Sequence, residues 1–407
     1  MDEQAGSGIY GQRPLLFLFG AGVILVATLD LSVWLFLKIA PRWGDPWGLA
    51  APLLAQWLLD PDRRPAQVAL ALGLPLGMVL LYAFPGISTF TEPIALGITS
   101  SAVSLGLLLI RPSRRSRTAA IFAAGMLVIL GEQICNAGQA LTAGDALTFD
   151  HRAYLIDLSL GISPVGVLRG SFDALPEFLR RGGWVGFQII YETIMLMMAV
   201  VVLLHLRVRS PRWAVALAAL LLSGGIGGLL YHFFPAAGPA FAFPGFPALP
   251  PTSAVSPAAA PLDVAYARNC MPSLHTTWAL LIALNARGLA RSFRCFAALY
   301  LVATVLATLI FGQHYLIDLV VAVPFALAMQ SLAEAMIARR LPTVVFWAGS
   351  AAVAGWFLVL IWRAQWFLAI PGFTLAACVA TLAGGILGVS CLRRPARHWR
   401  RRPPSTI

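Results

Sequence analysis

The sequence Met-Pro-Ser-Leu-His at residues 271–275 and the sequence Gly-Gln-His-Tyr-Leu-Ile-Asp at residues 312–318 decide how we expect this chain to fold. Each places a histidine at the end of an apolar stretch of membrane length, and the second adds Asp318 four residues after His314. Because residues i and i+4 of a helix share one face, His314 and Asp318 are predicted to be neighbours. The separation of 39 residues between His275 and His314 is about what two antiparallel spans and a short turn require. Both histidines are therefore predicted to lie at the same membrane depth.

The composition indicates a membrane protein with many spans. The chain has 407 residues, of which 59% are hydrophobic and 11% are charged, and its mean hydropathy is +0.80. Such a chain is too apolar for a soluble fold and too long for one or two spans. The formal charge of +12 comes from basic residues that sit in short clusters between apolar runs. Membrane topology explains these clusters, and we do not expect nucleic acid as a partner.

Apolar runs of about 17 to 23 residues are long enough to cross a bilayer. The fold class that they predict is all-α, a polytopic membrane helical bundle with about eleven transmembrane helices. The first run is too long for the core of a signal peptide, so we interpret it as a retained span. The predicted spans lie near residues 15–37, 66–84, 94–110, 118–136, 184–206, 213–236, 274–290, 295–313, 315–337, 343–363 and 368–390.

Clusters of arginine mark every second connection between the predicted spans. The positive-inside rule places these clusters in the cytoplasm, so the amino terminus is predicted outside and the carboxy terminus inside. Both histidine motifs then lie at the outer face. The preference for arginine over lysine and the abundance of alanine suggest a GC-rich bacterial genome, which predicts a bacterial inner membrane. In such a membrane the outer face is periplasmic, so an active site at the two histidine motifs would face the periplasm. The five cysteines are scattered and contain no CxxC pair, so no disulfide framework or metal motif follows from them.

The residues of the two motifs fit phosphate chemistry. Pro272 suits the first turn of a helix, whose free amide groups and positive dipole end attract anions. Asp318 could hold one ring nitrogen of His314 and leave the other exposed as a nucleophile. His275 could then protonate a departing alkoxide.

At these residues the chain resembles the type 2 phosphatidic acid phosphatase superfamily. The lipid phosphatases of that superfamily have Pro-Ser-Gly-His and then Ser-Arg, followed by a histidine with an aspartate four residues further on. Here the first motif has Leu274 in place of glycine, and Ala307 and Thr308 stand where Ser-Arg would be. In both departures the chain resembles inositol phosphorylceramide synthases and their bacterial relatives, which carry Pro-Ser-Leu-His and lack that arginine.

The resemblance covers about 118–338, which would be a six-helix catalytic core. Three amino-terminal helices in 1–117 would precede this core, and 339–407 would add two helices and a basic cytoplasmic tail. What the resemblance implies is phosphoryl transfer between membrane lipid substrates through a phosphohistidine, with no metal and no other cofactor. It says nothing of the oligomeric state.

By the same resemblance, His314 would be the nucleophile, Asp318 its orienting partner and His275 the general acid. Ser273 would help to hold the phosphoryl oxygens. The segment from Tyr231 to Pro239 is similar to a Tyr- and Pro-rich segment of the bacterial branch, but it lacks that branch's arginine.

The phosphate clamp therefore has to be sought elsewhere in the sequence. Arg268 and Arg152 are the basic residues available at the outer face. Glu192, an acid inside a predicted span, either lines a headgroup pocket or forms hydrogen bonds between helices. The segment from Val165 to Trp184 has charges at helical spacing, which is typical of an interfacial amphipathic helix that steers a lipid or roofs the core.

Three classes of function fit these residues. The first is a lipid phosphotransferase, which moves a phosphoryl-linked headgroup between lipid or polyol substrates. The second is a lipid phosphate phosphatase acting on phosphatidate, a prenyl (pyro)phosphate or a related phospholipid. The missing arginine favours the transferase, because a phosphodiester donor carries less negative charge than a phosphomonoester. The third class, a transporter, is not favoured because the sequence shows no internal repeat or paired broken helices.

Overall fold

The computed structural model describes residues 147–250 and 268–393, together with the isolated residues 255, 258, 260 and 261. Four predicted spans, near 15–37, 66–84, 94–110 and 118–136, lie outside the described residues, as does the predicted amino-terminal domain. Apart from a pair of two-residue strands, the regular structure of the described part is helical.

The described elements run in this order: β1 (Leu147–Thr148), α1 (Asp150–Leu158), α2 (Pro164–Asp173), α3 (Glu177–Glu192), α4 (Ile194–Arg207), α5 (Arg212–Leu230), α6 (Pro239–Ala242), β2 (Ala260–Pro261), α7 (Leu274–Asn285), α8 (Arg291–Ile310), α9 (Leu316–Ile337), α10 (Val344–Trp362), α11 (Gln365–Ala369) and α12 (Phe373–Arg393). Strands β1 and β2 pair antiparallel.

Five of these helices, α5, α8, α9, α10 and α12, are long and apolar enough to cross a membrane. They correspond to five of the predicted spans, with ends that differ by a few residues. The predicted span 184–206 is instead two helices, α3 and α4, which meet at Thr193 with a bend of 55°. The predicted span 274–290 contains α7, whose 12 residues are fewer than a full crossing of the bilayer requires.

Helix α9 is the centre of the bundle. In its most apolar 18-residue window 83% of the residues are buried, against 33% in α10 and 17% in α12. Helices α5, α7, α10 and α12 all pack on α9. The outer faces of α10 and α12 carry large exposed apolar side chains, such as Trp347 and Ile386, which suit contact with lipid.

Small residues and proline set the close approaches between helices. A Cβ atom on Gly349 of α10 would lie 2.7 Å from the carbonyl oxygen of Pro324 in α9, so only glycine permits this crossing. On α5, a Cβ atom on Gly227 would lie 2.6 Å from the Leu274 side chain at the start of α7. These contacts fix where α10 and α7 sit relative to the centre.

A polar cluster joins α4, α7 and α9 at the end of α7 opposite to His275. His205 contacts the carbonyl oxygen of Asn285 through its Nε2 atom at 2.7 Å, and the Asn285 amide donates to Gln330 Oε1 at 2.7 Å. All three side chains are buried. Because a buried polar group is stabilised only when it is hydrogen-bonded, this cluster sets the register of the three helices.

Helices α2 and α3 occupy the segment that was predicted as one amphipathic helix, 165–184. The segment is broken between Asp173 and Glu177, and Pro176 precedes the second helix. Both helices pack on α8. Arg169 of α2 donates to the carbonyl oxygen of Ile310 at 3.3 Å, and its guanidinium lies 5.0 Å from the Trp184 ring centroid. The two helices therefore cover the end of α8 that leads to His314.

Candidate active site

The structure brings the two predicted histidines together. His275 lies in the first turn of α7, and His314 directly precedes the turn that starts α9. Their ring centroids are 6.4 Å apart. Asp318, in the first turn of α9, lies behind His314 with its Oδ2 atom 3.5 Å from Nδ1. This is an ion-pair distance that is longer than a good hydrogen bond.

His275 is the more accessible of the two histidines. His314 is only 3% exposed, whereas His275 is half-buried. The Tyr191 ring, near the end of α3, stacks on the His275 imidazole with a centroid distance of 3.7 Å and an angle of 16° between the planes. Stacking of this kind holds the imidazole in one orientation.

Ser273 starts the helix that carries His275. Its side-chain oxygen accepts a hydrogen bond from the Thr276 amide at 3.3 Å, which is the role of an N-cap residue. Its backbone N–H donates to the Asp318 carbonyl oxygen at 3.2 Å. The two motifs are thus joined directly through the backbone. The predicted role of Ser273 in holding phosphoryl oxygens stays a prediction.

The loop before α6 fixes the chain in front of His314. Gly238 has a φ of +97°, and a Cβ atom there would lie 2.3 Å from the Gln313 carbonyl oxygen, so only glycine fits. The Ala240 amide donates to the Gly312 carbonyl oxygen at 2.9 Å, and the Cys270 amide donates to the Ala236 carbonyl oxygen at 3.0 Å. The segment from Tyr231 to Pro239 therefore lies between the two histidine motifs and connects them.

Two aspartates of α1 hold the start of α9. Asp157 accepts hydrogen bonds from the Leu316 amide at 2.7 Å and from the Ile317 amide at 3.1 Å. Asp150 accepts a hydrogen bond from the Tyr315 hydroxyl at 2.9 Å. Free amides at a helix start attract negative charge, so Asp157 stabilises α9 at the point where His314 and Asp318 are attached.

Burial raises the pKa of both aspartates of α1. Desolvation raises the pKa of Asp157 to about 8, the negative charge of Asp318 adds to this, and the two amide donors of α9 oppose it. Desolvation also raises the pKa of Asp150, against hydrogen bonds from the Ala237 and Gly238 amides. Burial therefore favours the protonated form of both carboxyl groups near His314.

Cys270 completes the surroundings of His314. Its thiol is buried and donates to the Gln313 carbonyl oxygen at 3.1 Å. One ligand atom from each of Cys270, His314 and Asp318 can be chosen so that all three lie within 4.8 Å of one another. By residue type, these three side chains could hold a metal ion.

The two residues predicted to stand in place of the Ser-Arg of the phosphatases, Ala307 and Thr308, are small. Ala307 and Thr308 are both fully buried, and the Thr308 hydroxyl donates to the Val305 carbonyl oxygen at 2.7 Å. The Gln313 amide donates to the Thr308 carbonyl oxygen at 3.1 Å. This end of α8 therefore supports the loop that carries His314 without supplying a positive charge.

The remaining predicted site residues lie in different places. Arg152 of α1 donates to the Leu360 and Ile361 carbonyl oxygens at 2.8 and 2.9 Å, so its guanidinium is engaged at the end of α10. Arg268 is 2% exposed and lies two residues before Cys270. Their role as a phosphate clamp stays a prediction.

Tyr231 and Glu192 are the other two predicted residues. Tyr231 is buried at the end of α5, and Glu192 is exposed as the last residue of α3, next to Tyr191. A part in binding the substrate remains a prediction for each of them.

Four residues near the histidines were not predicted as part of the site: Asp150, Asp157, Cys270 and Tyr191. One signal for the first two was present, because their spacing of seven residues is two helical turns and places both carboxylates on one face. An acid in an apolar segment needs a partner. For Cys270 and Tyr191 the sequence pattern gives no such signal.

Comparison with known proteins gives one match. Neither the curated proteins nor the solved structures yielded a match. A family model does match, over a segment that contains His275, His314 and Asp318 together with Asp157, Tyr191 and Cys270. That segment is residues 155–332, and the family is the PAP2 superfamily.

Proposed function

We propose that the protein is an integral membrane lipid phosphotransferase that acts through a phosphohistidine at the outer face of the membrane, in the manner of an inositol phosphorylceramide synthase. The observation that carries the proposal is the grouping of His275, His314 and Asp318, in which two imidazoles can reach one phosphoryl group and a carboxylate lies behind one of them. The match of this segment to the PAP2 superfamily supports phosphoryl chemistry.

The difference between the two histidines assigns their roles. His314 is buried, with its Nδ1 atom beside Asp318, so Nε2 is the nitrogen left to attack phosphorus. The P–O bond to the leaving alcohol breaks as the N–P bond forms. His275, which is half-buried, is the proton donor to the leaving alkoxide in this proposal.

The second half of the reaction uses the same residues in reverse. His275, now neutral, accepts the proton of an acceptor hydroxyl, whose oxygen then attacks phosphorus. The N–P bond to His314 breaks, and Asp318 stabilises the imidazole as it departs. Both half-reactions depend on the positioning of the reacting groups and on electrostatic stabilisation of the charge on the phosphoryl group.

The buried small residues at positions 307 and 308 favour a transferase over a phosphatase. A phosphomonoester carries about two negative charges near neutral pH and calls for a cationic clamp. Ala307 and Thr308 supply no cation at the place where the phosphatases have arginine. A phosphodiester donor, with one negative charge, fits this position better.

Labelled lipid products test the proposal. Purified protein in detergent is incubated with head-group-labelled phospholipid, with and without ceramide, diacylglycerol or inositol. We expect a new labelled phospholipid that depends on the acceptor. His314→Ala should abolish its formation, whereas His232→Ala, a change at an exposed histidine, should not. Release of free phosphate or of a phosphorylated head group, without a new lipid, would show a hydrolase, and near wild-type turnover by His314→Ala would disprove the nucleophile.

A further inference from the structure

Behind the surface that faces the substrate, three side chains of ligand type converge on one point. They are the Cys270 thiol, the His314 imidazole and the Asp318 carboxyl group. Their exposed fractions are 0%, 3% and 0%. Cys270 comes from the loop before α7, whereas His314 and Asp318 come from the start of α9, so the cluster exists only through the tertiary fold.

Two polar atoms in this cluster have no hydrogen-bond partner among the residues that the structure describes. They are His314 Nδ1 and Asp318 Oδ1, and both are buried. A buried polar atom without a partner is costly and calls for a ligand. The Nδ1 atom does have the Asp318 Oδ2 atom 3.5 Å away, but this contact is too long for a good hydrogen bond.

The spacing and the types of these atoms suit zinc. Ligands about 2.0–2.1 Å from tetrahedral zinc are themselves separated by roughly 3.3 Å, which is close to the 3.5 Å between Nδ1 and Oδ2. A rotation of the Cys270 side chain away from the Gln313 carbonyl oxygen would bring the thiol into the third position. Sulfur and nitrogen ligands select zinc and cobalt over magnesium or calcium, which prefer oxygen.

Further carboxyl groups lie close to the cluster. Asp150 accepts a hydrogen bond from the Tyr315 hydroxyl, and Asp157 accepts hydrogen bonds from the amides of residues 316 and 317. A bound divalent cation would favour the ionised form of these carboxyl groups and be attracted by it.

We propose that Cys270, His314 and Asp318 form a binding site for Zn²⁺ or a similar borderline-soft divalent cation, and that the bound cation inhibits the enzyme. Binding releases the thiol proton and shifts the ring proton of His314 from Nδ1 to Nε2, so that Nδ1 can bond to the metal. Protonated Nε2 has no lone pair to attack phosphorus, and Asp318 is taken away from its orienting position. The site thus holds the candidate nucleophile in an inactive form.

Cobalt absorption tests binding without any use of activity. EDTA-treated protein in detergent is titrated with Co²⁺, whose bond to a thiolate gives a charge-transfer absorption in the near ultraviolet. We expect this absorption in the wild type and in Cys295→Ser, which changes an exposed cysteine, and not in Cys270→Ser. Its absence from the wild type, or its persistence in Cys270→Ser, would overturn the proposal.

Zinc inhibition tests the consequence of binding. For each protein, lipid turnover with added Zn²⁺ is divided by the turnover of the same protein without metal. We expect Cys270→Ser and Cys270→Ala to require at least about tenfold more Zn²⁺ for half inhibition than the wild type or Cys295→Ser. Equal sensitivity of all four proteins would contradict the proposal. If no protein turned lipid over, the proposed function would fail, but the cobalt absorption would still decide the metal site.

Discussion

The two histidines of the site are held in different ways. His314 is buried and lies at the start of the central helix α9, where Asp157, Asp318 and the Gly238 loop fix the backbone around it. His275 is half-buried and is oriented by the Tyr191 ring of α3. Helix α3 has no buried residue and bends by 55° into α4. The backbone around His314 is therefore held by several buried contacts, whereas His275 lies nearer to the accessible surface.

This contrast agrees with the chemistry that each side is proposed to perform. A nucleophile needs one fixed direction of attack, because small displacements of reacting atoms slow the reaction strongly. An acid that later becomes a base needs access to the leaving group, the acceptor and exchangeable protons. His314 on the buried side meets the first requirement, and His275 on the accessible side meets the second.

Removing the two imidazoles should show the largest difference between the sides. His314→Ala should lower lipid turnover by roughly 10³-fold or more, whatever the leaving group, because no phosphohistidine can form. His275→Ala should lower turnover of a natural donor by roughly 10²- to 10⁴-fold, because only the proton donor is lost.

A donor with a nitrophenol leaving group separates the two roles. Because nitrophenolate leaves without protonation, it should restore much of the activity of His275→Ala and none of that of His314→Ala. Initial rates with both donors are measured for the wild type and the two variants. Rescue of His314→Ala alone would mean that the two roles are exchanged. Equal rescue of both variants would contradict the assignment of separate roles.

Weakening the support of α9 should have the next largest effect. Asp157→Asn replaces one carboxyl oxygen with an amide NH2 group, so one of the two backbone amides of α9 loses its acceptor, and it should lower kcat by about 3- to 30-fold with little change in KM. The physical reason is that the substitution displaces the start of α9, and with it His314, but does not change the residues that contact the lipid. The measurement is steady-state turnover in detergent, with circular dichroism to confirm folding.

Glu177→Gln is the matched control for this change. Glu177 lies in the first turn of another helix, α3, and its side chain is exposed. Glu177→Gln should leave kcat and KM as in the wild type. An increase in KM at constant kcat for Asp157→Asn would show that Asp157 supports lipid binding rather than the nucleophile.

Removing the ring that stacks on His275 should have the smallest effect. Tyr191→Ala should lower kcat by about 2- to 10-fold, because a stacked aromatic pair contributes about 0.5–1.5 kcal/mol. It should also shift the part of the pH–rate profile that reports His275. Tyr191→Phe keeps the ring and should retain more activity than Tyr191→Ala. Identical losses in both variants would mean that the hydroxyl, and not the ring, is what matters.

The fold was predictable where it depends on the length of apolar runs. Five predicted spans in the described part correspond to helices that can cross a membrane. The predicted span 184–206 corresponds to two helices that together are long and apolar enough to cross a membrane, but Thr193 separates them and the pair is bent by 55°. The Thr193 hydroxyl donates to the Ile189 carbonyl oxygen at 2.7 Å in addition to the Thr193 amide at 3.0 Å, and hydroxyl bonds of this kind often bend helices. Hydropathy does not distinguish such a break from a straight span.

The meeting of the histidines was predictable from local rules, because a hairpin of two apolar runs returns the chain to the same depth. The sequence by itself therefore determined the membrane character and the grouping of His275, His314 and Asp318. Only the tertiary structure decided what surrounds them. Asp157 and Leu316 are 159 residues apart in sequence, yet they are joined by a hydrogen bond. Free amides at a buried helix start must find an acceptor, but any buried carboxylate satisfies that need, so packing alone determines which one does.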